Sequence, residues 1–101
     1  ELSYIATDKD KVVGALFSVI DQSRNEFSFD VVVDPNYQNQ KIGSTLIDII
    51  MKDFKSESHE FEHPSVWIHA VNPILVSYLV KKYGFTHEKD KFNRDILTYH
   101  F

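Results

Sequence analysis

Apolar runs alternate with short polar turns along this chain, and the pattern predicts six β-strands. The runs are rich in Val, Ile, Phe and Tyr, which favour extended backbone, and polar clusters bound each of them. The predicted strands are residues 2–7, 12–20, 26–33, 65–71, 85–89 and 95–101. The first three follow one another with only short turns between them, so they predict an antiparallel meander.

Two amphipathic segments interrupt the strands and predict helices. Residues 43–55 carry most of their apolar side chains on roughly one helical stripe. A second helix is predicted for residues 73–82, because Pro73 suits the first helical position and Gly84 is the expected stop. The fold class predicted for residues 1–101 is therefore a single α/β (α+β) domain. It has a mixed, mostly antiparallel central sheet, two helices and the order β-β-β-α-β-α-β-β.

The segment VVVDPNYQNQKIGSTL, residues 31–46, joins a strand to a helix through a polar loop. The apolar run ends at Pro35, and Gly43 stands where the helix is predicted to begin. The first N–H groups of a helix have no intrahelical partners, and the helix dipole adds partial positive charge there. This junction therefore predicts an anion site, with a phosphate-bearing cofactor as its natural ligand.

Composition limits the classes of function. The 101 residues include no cysteine, which excludes a disulfide framework and a cysteine nucleophile. The net charge is −4 with no basic stripe, and this balance argues against a nucleic-acid partner. No run approaches the roughly 20 apolar residues that a membrane-spanning helix needs, and the first residues lack a signal-peptide pattern. These features fit a protein of the reducing cytoplasm that binds neither nucleic acid nor membrane.

Two motifs make the chain resemble the GNAT superfamily, the acetyl-CoA-dependent N-acetyltransferases. The segment VVVDPNYQNQKIG is similar to the family's strand followed by V-x-P-x-[YF]-[RQ]-x-x-G-x-G, with Gln38 and Gly43 at matching positions. The later segment NPILVSYLVKKYGF is similar to the second motif, which starts near an Asn and ends in K-x-G-F, here residues 82–85. The resemblance covers nearly the whole chain and implies the same order of strands and helices.

The resemblance also implies where acetyl-CoA binds. Loop N–H groups wrap the diphosphate, and two hydroxyls of the first helical turn, those of Ser44 and Thr45, add donors. Pantetheine enters a gap between the third and fourth predicted strands and pairs with the backbone of the third. The cofactor-binding residues that the resemblance implies are Val31, Val33, Gln38, Asn39, Gln40, Lys41, Ile42, Gly43, Ser44 and Asn72.

Departures from the family pattern affect the predicted site. Lys41 stands at the first loop glycine, where a positive φ would strain the backbone, although its ammonium can also reach a phosphate. Val80 stands at the position of the general-acid tyrosine, and the second motif is one residue longer than usual. Tyr78, on another face of the same helix, is the candidate acid. The family's first strand and first two helices, which form a wall of the acceptor site, have no counterpart before Leu2.

An acceptor amine must lose a proton before it attacks a thioester, so a base is expected beside the third strand. Asp30 is the candidate base, and Glu26 is the second candidate. The alternative is that both acidic side chains, which alternate with Phe27, Phe29 and Val31, form the solvent face of a half-buried strand. The resemblance implies that a backbone N–H of the same strand, near Val31–Val33, stabilises the oxyanion.

Two histidine features have competing interpretations. His59–His63 matches H-E-x-x-H, a zinc-peptidase signature that requires both histidines on one helix face. The segment lies in a polar loop and is followed by Pro64, which disfavours helix at the preceding residue. A chance match is therefore preferred, and no metal site is expected. His69, in the fourth predicted strand, can touch the acetyl site, but a hydrogen-bonded core histidine is the commoner case.

The predicted function is acetyl transfer from acetyl-CoA to a primary amine by direct attack, without a covalent enzyme intermediate. The acceptor is a small molecule or a peptide, and the negative surface favours cationic acceptors by steering. Two alternatives stay open. One is a domain that binds CoA or a partner without efficient catalysis, and the other is a fragment of a larger acetyltransferase. Open sheet edges would also favour a homodimer.

Overall fold

The computed structural model describes residues 3–69 and 72–101, and the side chains of Asn39 and Gln40 also lie outside the description. The strands are β1 (Ser3–Asp8), β2 (Lys11–Asp21), β3 (Glu26–Val33), β4 (Ser65–His69), β5 (Thr86–Lys89) and β6 (Asp95–His100). The helices are α1 (Ile42–Glu57) and α2 (Pro73–Tyr78), with 3-10 helices at Pro35–Gln40 and Ser58–Glu60 and a π-helical turn at Leu79–Tyr83.

The six strands of the described chain form one sheet in the order β1-β2-β3-β4-β6-β5. Every neighbouring pair is antiparallel except β3 and β4, which run parallel. Within the described residues β3 and β4 pair only at Glu26–Ser65 and Phe27–Val66, near the start of both strands. Beyond these two pairs β3 keeps its ladder to β2 alone, so a gap opens between β3 and β4 toward their C-terminal ends.

The hydrophobic core lies between one face of the sheet and the helices. The rings of Phe27 on β3 and Phe54 on α1 stack with centroids 4.6 Å apart, which fixes α1 against the middle of the sheet. Burial of side chains of this size stabilises the fold by roughly 1.5–3 kcal/mol each. The largest fully buried side chains are Leu16, Phe27, Ile47, Ile50, Phe54, Val66, Leu79 and Leu97.

The other face of β1, β2 and β3 is open to solvent. Its apolar side chains Ile5, Phe17 and Val32 are each more than half exposed. Asp30 is in register with Phe17 on the neighbouring strand, so both side chains belong to this open face. The strand alternation that buries Phe29 against the helices therefore leaves Asp30 on the side from which another molecule can approach.

The predicted fold class and element order are confirmed. β3 has the predicted bounds. β1 and β2 differ from the prediction by one residue at both ends, β5 by one residue at its start and β6 by one residue at its end. Leu2, Ala70 and Val71, which were predicted to lie in strands, are outside the described residues. Among the described helices, none is long and apolar enough to span a bilayer.

The helices differ from the prediction in three places. α1 begins one residue earlier and ends two residues later, and the loop before it is a 3-10 helix. The second predicted helix changes from α to π geometry at Leu79. A π turn bonds residues five apart, so it absorbs one additional residue without ending the helix. Gly84 then ends the turn with a φ of 75°, as expected for a glycine stop.

Candidate functional site

Two adjoining clefts lie between the helices and the separated strands. The first has a volume of about 530 Å³ and lies at the N-terminus of α1, where Gly43 and Ser44 line it. The second has a volume of about 440 Å³ and follows the gap between β3 and β4. Asn72 and Leu75 line both clefts, so the two spaces adjoin along α2. Together they can hold an extended ligand, one end at a helix N-terminus and the other between two strands.

The N-terminus of α1 faces the first cleft without a capping side chain. The first intrahelical bond joins the Thr45 N–H to the Lys41 carbonyl at 3.0 Å, and no side chain caps the helix. The N–H groups of Ile42, Gly43 and Ser44 precede that bond, so the α-helical ladder does not use them. Three adjacent donors at the positive end of a helix dipole form a site suited to an anion.

The hydroxyls of the first helical turn bond to the backbone of the residue that precedes the helix. Ser44 Oγ and Thr45 Oγ1 both donate to the Lys41 carbonyl, at 3.0 and 2.8 Å. A role of these hydroxyls as additional donors to a phosphate stays a prediction, although in this structure both protons bond to the backbone. The physical reason is that Ser and Thr side chains in a first turn readily bond to nearby backbone groups.

Lys41, which stands at the position of the family's first loop glycine, adopts the left-handed backbone conformation. Its φ is 61° and its ψ is 21°, in the region that favours glycine. A non-glycine residue there costs about 1–2 kcal/mol. The conformation turns the chain from the 3-10 helix Pro35–Gln40 into α1, and the Lys41 carbonyl accepts the first bond of that helix. Lys41 also lines the first cleft, where it supplies a positive charge.

Gly43 lies where neighbouring side chains leave little room for a Cβ atom. A Cβ at this position would lie 3.1 Å from Leu75 Cδ2 and 3.5 Å from Val33 Cγ2. Glycine therefore lets α1 approach α2 and the end of β3 closely. Both of these neighbouring side chains also line the first cleft. The Gly43 backbone still lines the first cleft.

β3 presents its unpaired edge to both clefts. Val31 lines the cleft between the strands, and Val33 lines the cleft at the start of α1. Past Phe27 this edge has no ladder to β4 within the described residues. One carbonyl is already engaged, because Gln38 Nε2 donates to the Val33 oxygen at 3.4 Å. The edge can accept an extended ligand as an added strand-like partner.

Asn72 links the two clefts through its side chain. Its Oδ1 accepts the Ile74 N–H at 2.9 Å and so caps α2, as expected for a residue before a helix that starts with proline. The NH₂ group of the same side chain is a donor at the boundary between the clefts. Asn39 and Gln40, predicted to bind the cofactor, belong to the 3-10 helix, and their side chains are outside the described set.

The two candidate bases lie at different positions along β3, one beside the gap and the other where β3 and β4 are paired. Asp30 lines the cleft between the strands and is exposed. Glu26 lies where the strands are still paired, and its Oε2 accepts from Trp67 Nε1 at 2.9 Å. The same bond places Trp67 of β4 on the open face together with Glu26. His69 lies on that face too, because residues two apart in a strand point to the same side. His69 and Asp30 therefore flank the open end of the gap from opposite strands.

A polar cluster that the sequence did not reveal borders the first cleft. Asp48 on α1 accepts from the hydroxyls of Tyr78 and Tyr83, at 2.6 and 2.5 Å, and from Lys82 Nζ at 3.0 Å. Partial burial raises the pKa of Asp48, but these three bonds outweigh it and hold that pKa below its ordinary value. Burial and the Asp48 carboxylate raise the pKa of both tyrosines. The pattern that could have indicated this cluster is an aspartate between Ile47 and Ile49 in a helix that packs on the core.

Tyr78, the candidate acid, thus has its hydroxyl proton bonded to Asp48. Its side chain borders the first cleft and is not among the residues that line the gap between β3 and β4. Val80, at the position of the family's tyrosine, is 38% exposed and faces a separate hollow with His87. Because the π turn shifts the register, the preceding residue Leu79 lines the gap instead. Neither apolar side chain can donate a proton.

The H-E-x-x-H segment does not form a metal site in the described structure. His59 lies in the 3-10 helix Ser58–Glu60, whereas His63 has a φ of 47° outside any helix. The two rings therefore do not share a helix face as the zinc signature requires. Among the described residues no group of three or more potential metal ligands comes together.

Comparisons with known proteins agree with this architecture. The profile of the acetyltransferase (GNAT) domain matches residues 1–87. A search of curated protein sequences gives no significant match. Among solved structures, a GNAT-family acetyltransferase from Staphylococcus aureus Mu50 superposes with a TM-score of 0.70 at 18% identity, over 97% of this chain and 66% of that one.

Two further solved structures are similar in fold. The ribosomal-protein-S18-alanine N-acetyltransferase of Escherichia coli gives a TM-score of 0.68 at 18% identity, over 96% of this chain and 65% of its own. An aminoglycoside 6'-N-acetyltransferase complexed with coenzyme A gives 0.64 at 10% identity, over 97% and 71%. This chain therefore spans about two thirds of the length of these proteins, slightly less for the first two.

Proposed function

Because the chain belongs to the GNAT acetyltransferase family, we propose that it transfers an acetyl group from acetyl-CoA to a primary amine. The observation that carries the proposal is the junction of the two clefts. Donors at the start of α1 adjoin a gap between two separated strands, and acetyl-CoA has a diphosphate joined to a narrow thioester-bearing arm. The coenzyme A complex of the aminoglycoside enzyme, which has a similar fold, supports the choice of this ligand.

The diphosphate is proposed to bind the N–H groups of Ile42, Gly43 and Ser44, with the Lys41 ammonium nearby. The pantetheine arm follows the free edge of β3 and receives a hydrogen bond from the Asn72 side chain. The proposed cofactor-binding residues remain those predicted from the sequence, namely Val31, Val33, Gln38, Asn39, Gln40, Lys41, Ile42, Gly43, Ser44 and Asn72. For Ser44 the contribution is the backbone N–H and not the hydroxyl.

The proposed chemistry is direct attack of the amine on the thioester carbonyl. The acceptor approaches from the open face of the sheet, where the Asp30 carboxylate attracts the ammonium and removes a proton. A backbone N–H on the free edge of β3, near Val31, stabilises the oxyanion of the tetrahedral intermediate. The intermediate then collapses with loss of the thiolate, so no covalent bond to the protein forms.

The acceptor is proposed to be a cationic amine, because the chain has a net charge of −4 and Asp30 lies at the open end of the gap. Both a peptide and a small molecule are compatible with the printed names of the similar structures, ribosomal protein S18 alanine in one and aminoglycoside in another. The exposed edge strand β1 also fits a homodimer, which size-exclusion chromatography with light scattering would test.

A second candidate function is a domain that binds CoA without efficient catalysis. The observation that favours it is the apolar pair Leu79 and Val80, since neither can replace the family's general-acid tyrosine. Release of free thiol from acetyl-CoA in the presence of a panel of amines separates the two functions. Turnover above background supports the transferase, whereas cofactor binding without turnover supports the binding domain.

The cofactor site itself is tested by one substitution and its matched control. Ser44→Pro removes an N–H that α1 does not use, and proline is tolerated in a first helical turn. Ser44→Ala removes only the hydroxyl and keeps the N–H. We expect calorimetry to show about 10- to 100-fold weaker acetyl-CoA binding for Ser44→Pro, the loss of one charge-assisted hydrogen bond. Equal affinities for the two variants, both with intact circular dichroism, would refute this assignment.

A further inference from the structure

Collapse of the tetrahedral intermediate produces a thiolate, and the structure must supply its proton by a route that the second motif does not provide. Leu79 lines the gap between β3 and β4 and is 1% exposed, so the gap is apolar where a tyrosine hydroxyl was expected. Tyr78 donates its proton to Asp48 at the border of the other cleft. A side-chain donor would therefore come from another element of the fold, and water is the alternative.

Only two titratable side chains are among the described residues that line the gap, Asp30 on β3 and His69 on β4. An ionised carboxylate has no proton to give, whereas an imidazole is the side chain that both gains and gives up a proton near neutral pH. Asp30 and His69 line the same cleft from its two strands, which suits two complementary roles in one proton balance.

The surroundings of His69 hold its ring in place. The ring packs edge-to-face on Trp67, with centroids 5.4 Å apart, and Trp67 is itself hydrogen-bonded to Glu26. Nε2 of His69 lies 3.8 Å from Asp90 Oδ2, so the ring gains an ion-pair partner when it is protonated. The imidazole thus has an aromatic wall on one side and a carboxylate on another.

Asp90 is suited to remain the charged partner of that ring. Its Oδ1 accepts the backbone N–H groups of Phe92 and Arg94 at 2.8 and 2.9 Å, and Arg94 Nε donates to Oδ2 at 2.7 Å. These bonds, the Arg94 backbone bond first, hold the pKa of Asp90 below its ordinary value despite partial burial. The turn between β5 and β6 therefore presents a fixed negative charge to β4.

We infer that His69 is a catalytic residue, the general acid that protonates the leaving thiolate, and that Asp90 positions its ring. This inference rests on the proposed acetyl transfer and assigns the step that the predicted acid, Tyr78, does not provide. It gives β3 and β4 one role each, Asp30 as base and His69 as acid, on the same open face of the sheet.

The proton balance of the step closes without a further reagent. Asp30 takes one proton from the acceptor ammonium, the amine nitrogen forms a C–N bond, and the attached nitrogen loses its second proton to water. The C–S bond then breaks, and the sulfur takes the proton of the His69 imidazolium. Asp30 returns its proton to solvent and His69 regains one, so a single proton is released per acetyl group transferred.

The charged groups around His69 define the pH dependence. Asp30 lines the same cleft from β3, and Asp90 approaches the ring from the β5–β6 turn with Arg94 bound to it. On the far side, His69 is in register with Ile96 of β6, which pairs in turn with Glu88 of β5. Since a general acid must be protonated to act, the wild-type kcat should fall toward alkaline pH.

The test compares His69→Gln with His87→Gln in the full chain. His87 is a matched control because it is also partly exposed, also paired with an aspartate, Asp95 at 2.8 Å, and outside both clefts. For His69→Gln we expect kcat to fall about 100-fold with little change in the KM for acetyl-CoA, and the alkaline limb of the kcat profile to disappear. His87→Gln should match the wild type in both respects.

The outcomes separate this inference from the proposed function. If the wild type turns over and His69→Gln matches His87→Gln, the acid assignment is wrong and the acetyl transfer stands. If the wild type binds no acetyl-CoA and acetylates no amine, the proposed function and this inference fall together. If His69→Gln does not fold, NMR of the wild-type imidazoles decides. Addition of CoA should then shift the His69 ring signals and not those of His87, and an unmoved His69 ring would overturn the inference.

Discussion

The cluster around Asp48 predicts a measurable loss of stability for a nearly isosteric substitution. In Asp48→Asn the side chain keeps one carbonyl oxygen for the hydroxyls of Tyr78 and Tyr83 but loses its charge and its second acceptor. A bond to a charged acceptor contributes about 1.5–3 kcal/mol and a neutral one about 0.5–1.5 kcal/mol. Each tyrosine bond therefore weakens by roughly 1 kcal/mol before solvent is considered.

Solvent screening reduces the combined loss from the two tyrosine bonds. The Asp48 side chain is 38% exposed, so we count about half of the difference and expect a net loss of about 1 kcal/mol. For a domain of this size, that corresponds to a Tm lower by about 4–8 °C. Thermal melts by circular dichroism at neutral pH measure it. Asp53→Asn on the same helix is the matched control. Asp53 accepts a hydrogen bond from one hydroxyl, that of Tyr4, so this substitution should lower the Tm less than Asp48→Asn does.

The pH dependence gives the sign of the effect independently. The pKa of Asp48 is lowered in the folded state, so its stabilisation is present above the unfolded-state pKa and disappears as pH falls through the folded-state pKa. The Tm difference between wild type and Asp48→Asn should therefore shrink as the pH is lowered below about 4. A difference that stays constant from pH 7 to pH 3, or a control as destabilised as Asp48→Asn, would refute the reasoning.

Three further predictions concern Lys41 before α1, Gly14 in β2 and the histidine segment after α1. Lys41→Gly should raise the Tm slightly by relieving the left-handed backbone strain, yet weaken acetyl-CoA binding in calorimetry; a lower Tm would show that the strain is absent. Gly14→Ala should destabilise the fold by about 1–3 kcal/mol in urea melts, since its Cβ would lie 2.8 Å from Ile42 Cγ2, and a neutral result would contradict that contact. A chelator should leave the Tm unchanged; a decrease would indicate metal held by the segment His59–His63.

Local pattern was sufficient to predict the elements and the strand–loop–helix junction at which the anion site is proposed. Alternation placed β3 within its observed bounds, and the break from an apolar run to Gly43 marked the helix start. Lys41 was correctly flagged as a residue at risk of positive φ, because the resemblance places a glycine there. Each of these features depends on residues close together in the chain, which is why the sequence carries them.

Features that depend on distant residues could not be predicted. The donors of Asp48 lie 30 to 35 residues away, and only packing of α1 on the segment after α2 brings them together. The sequence shows the additional residue in the second motif. It does not show that a π turn accommodates this residue, so that Leu79 and not Val80 lines the gap. His69 was noted as able to reach the site, but its pairing with Asp90 depends on a turn that folds beside β4.

The central claim is that the N–H groups at the start of α1 and the free edge of β3 bind one acetyl-CoA molecule together. NMR of the isotope-labelled chain with added acetyl-CoA tests it most directly. The account predicts that the amide signals of Ile42, Gly43, Ser44, Val31 and Val33 shift together in one saturable titration, while those of β1 and β5 do not move. Shifts confined to the hollow beside His87, or an unchanged spectrum, would contradict it.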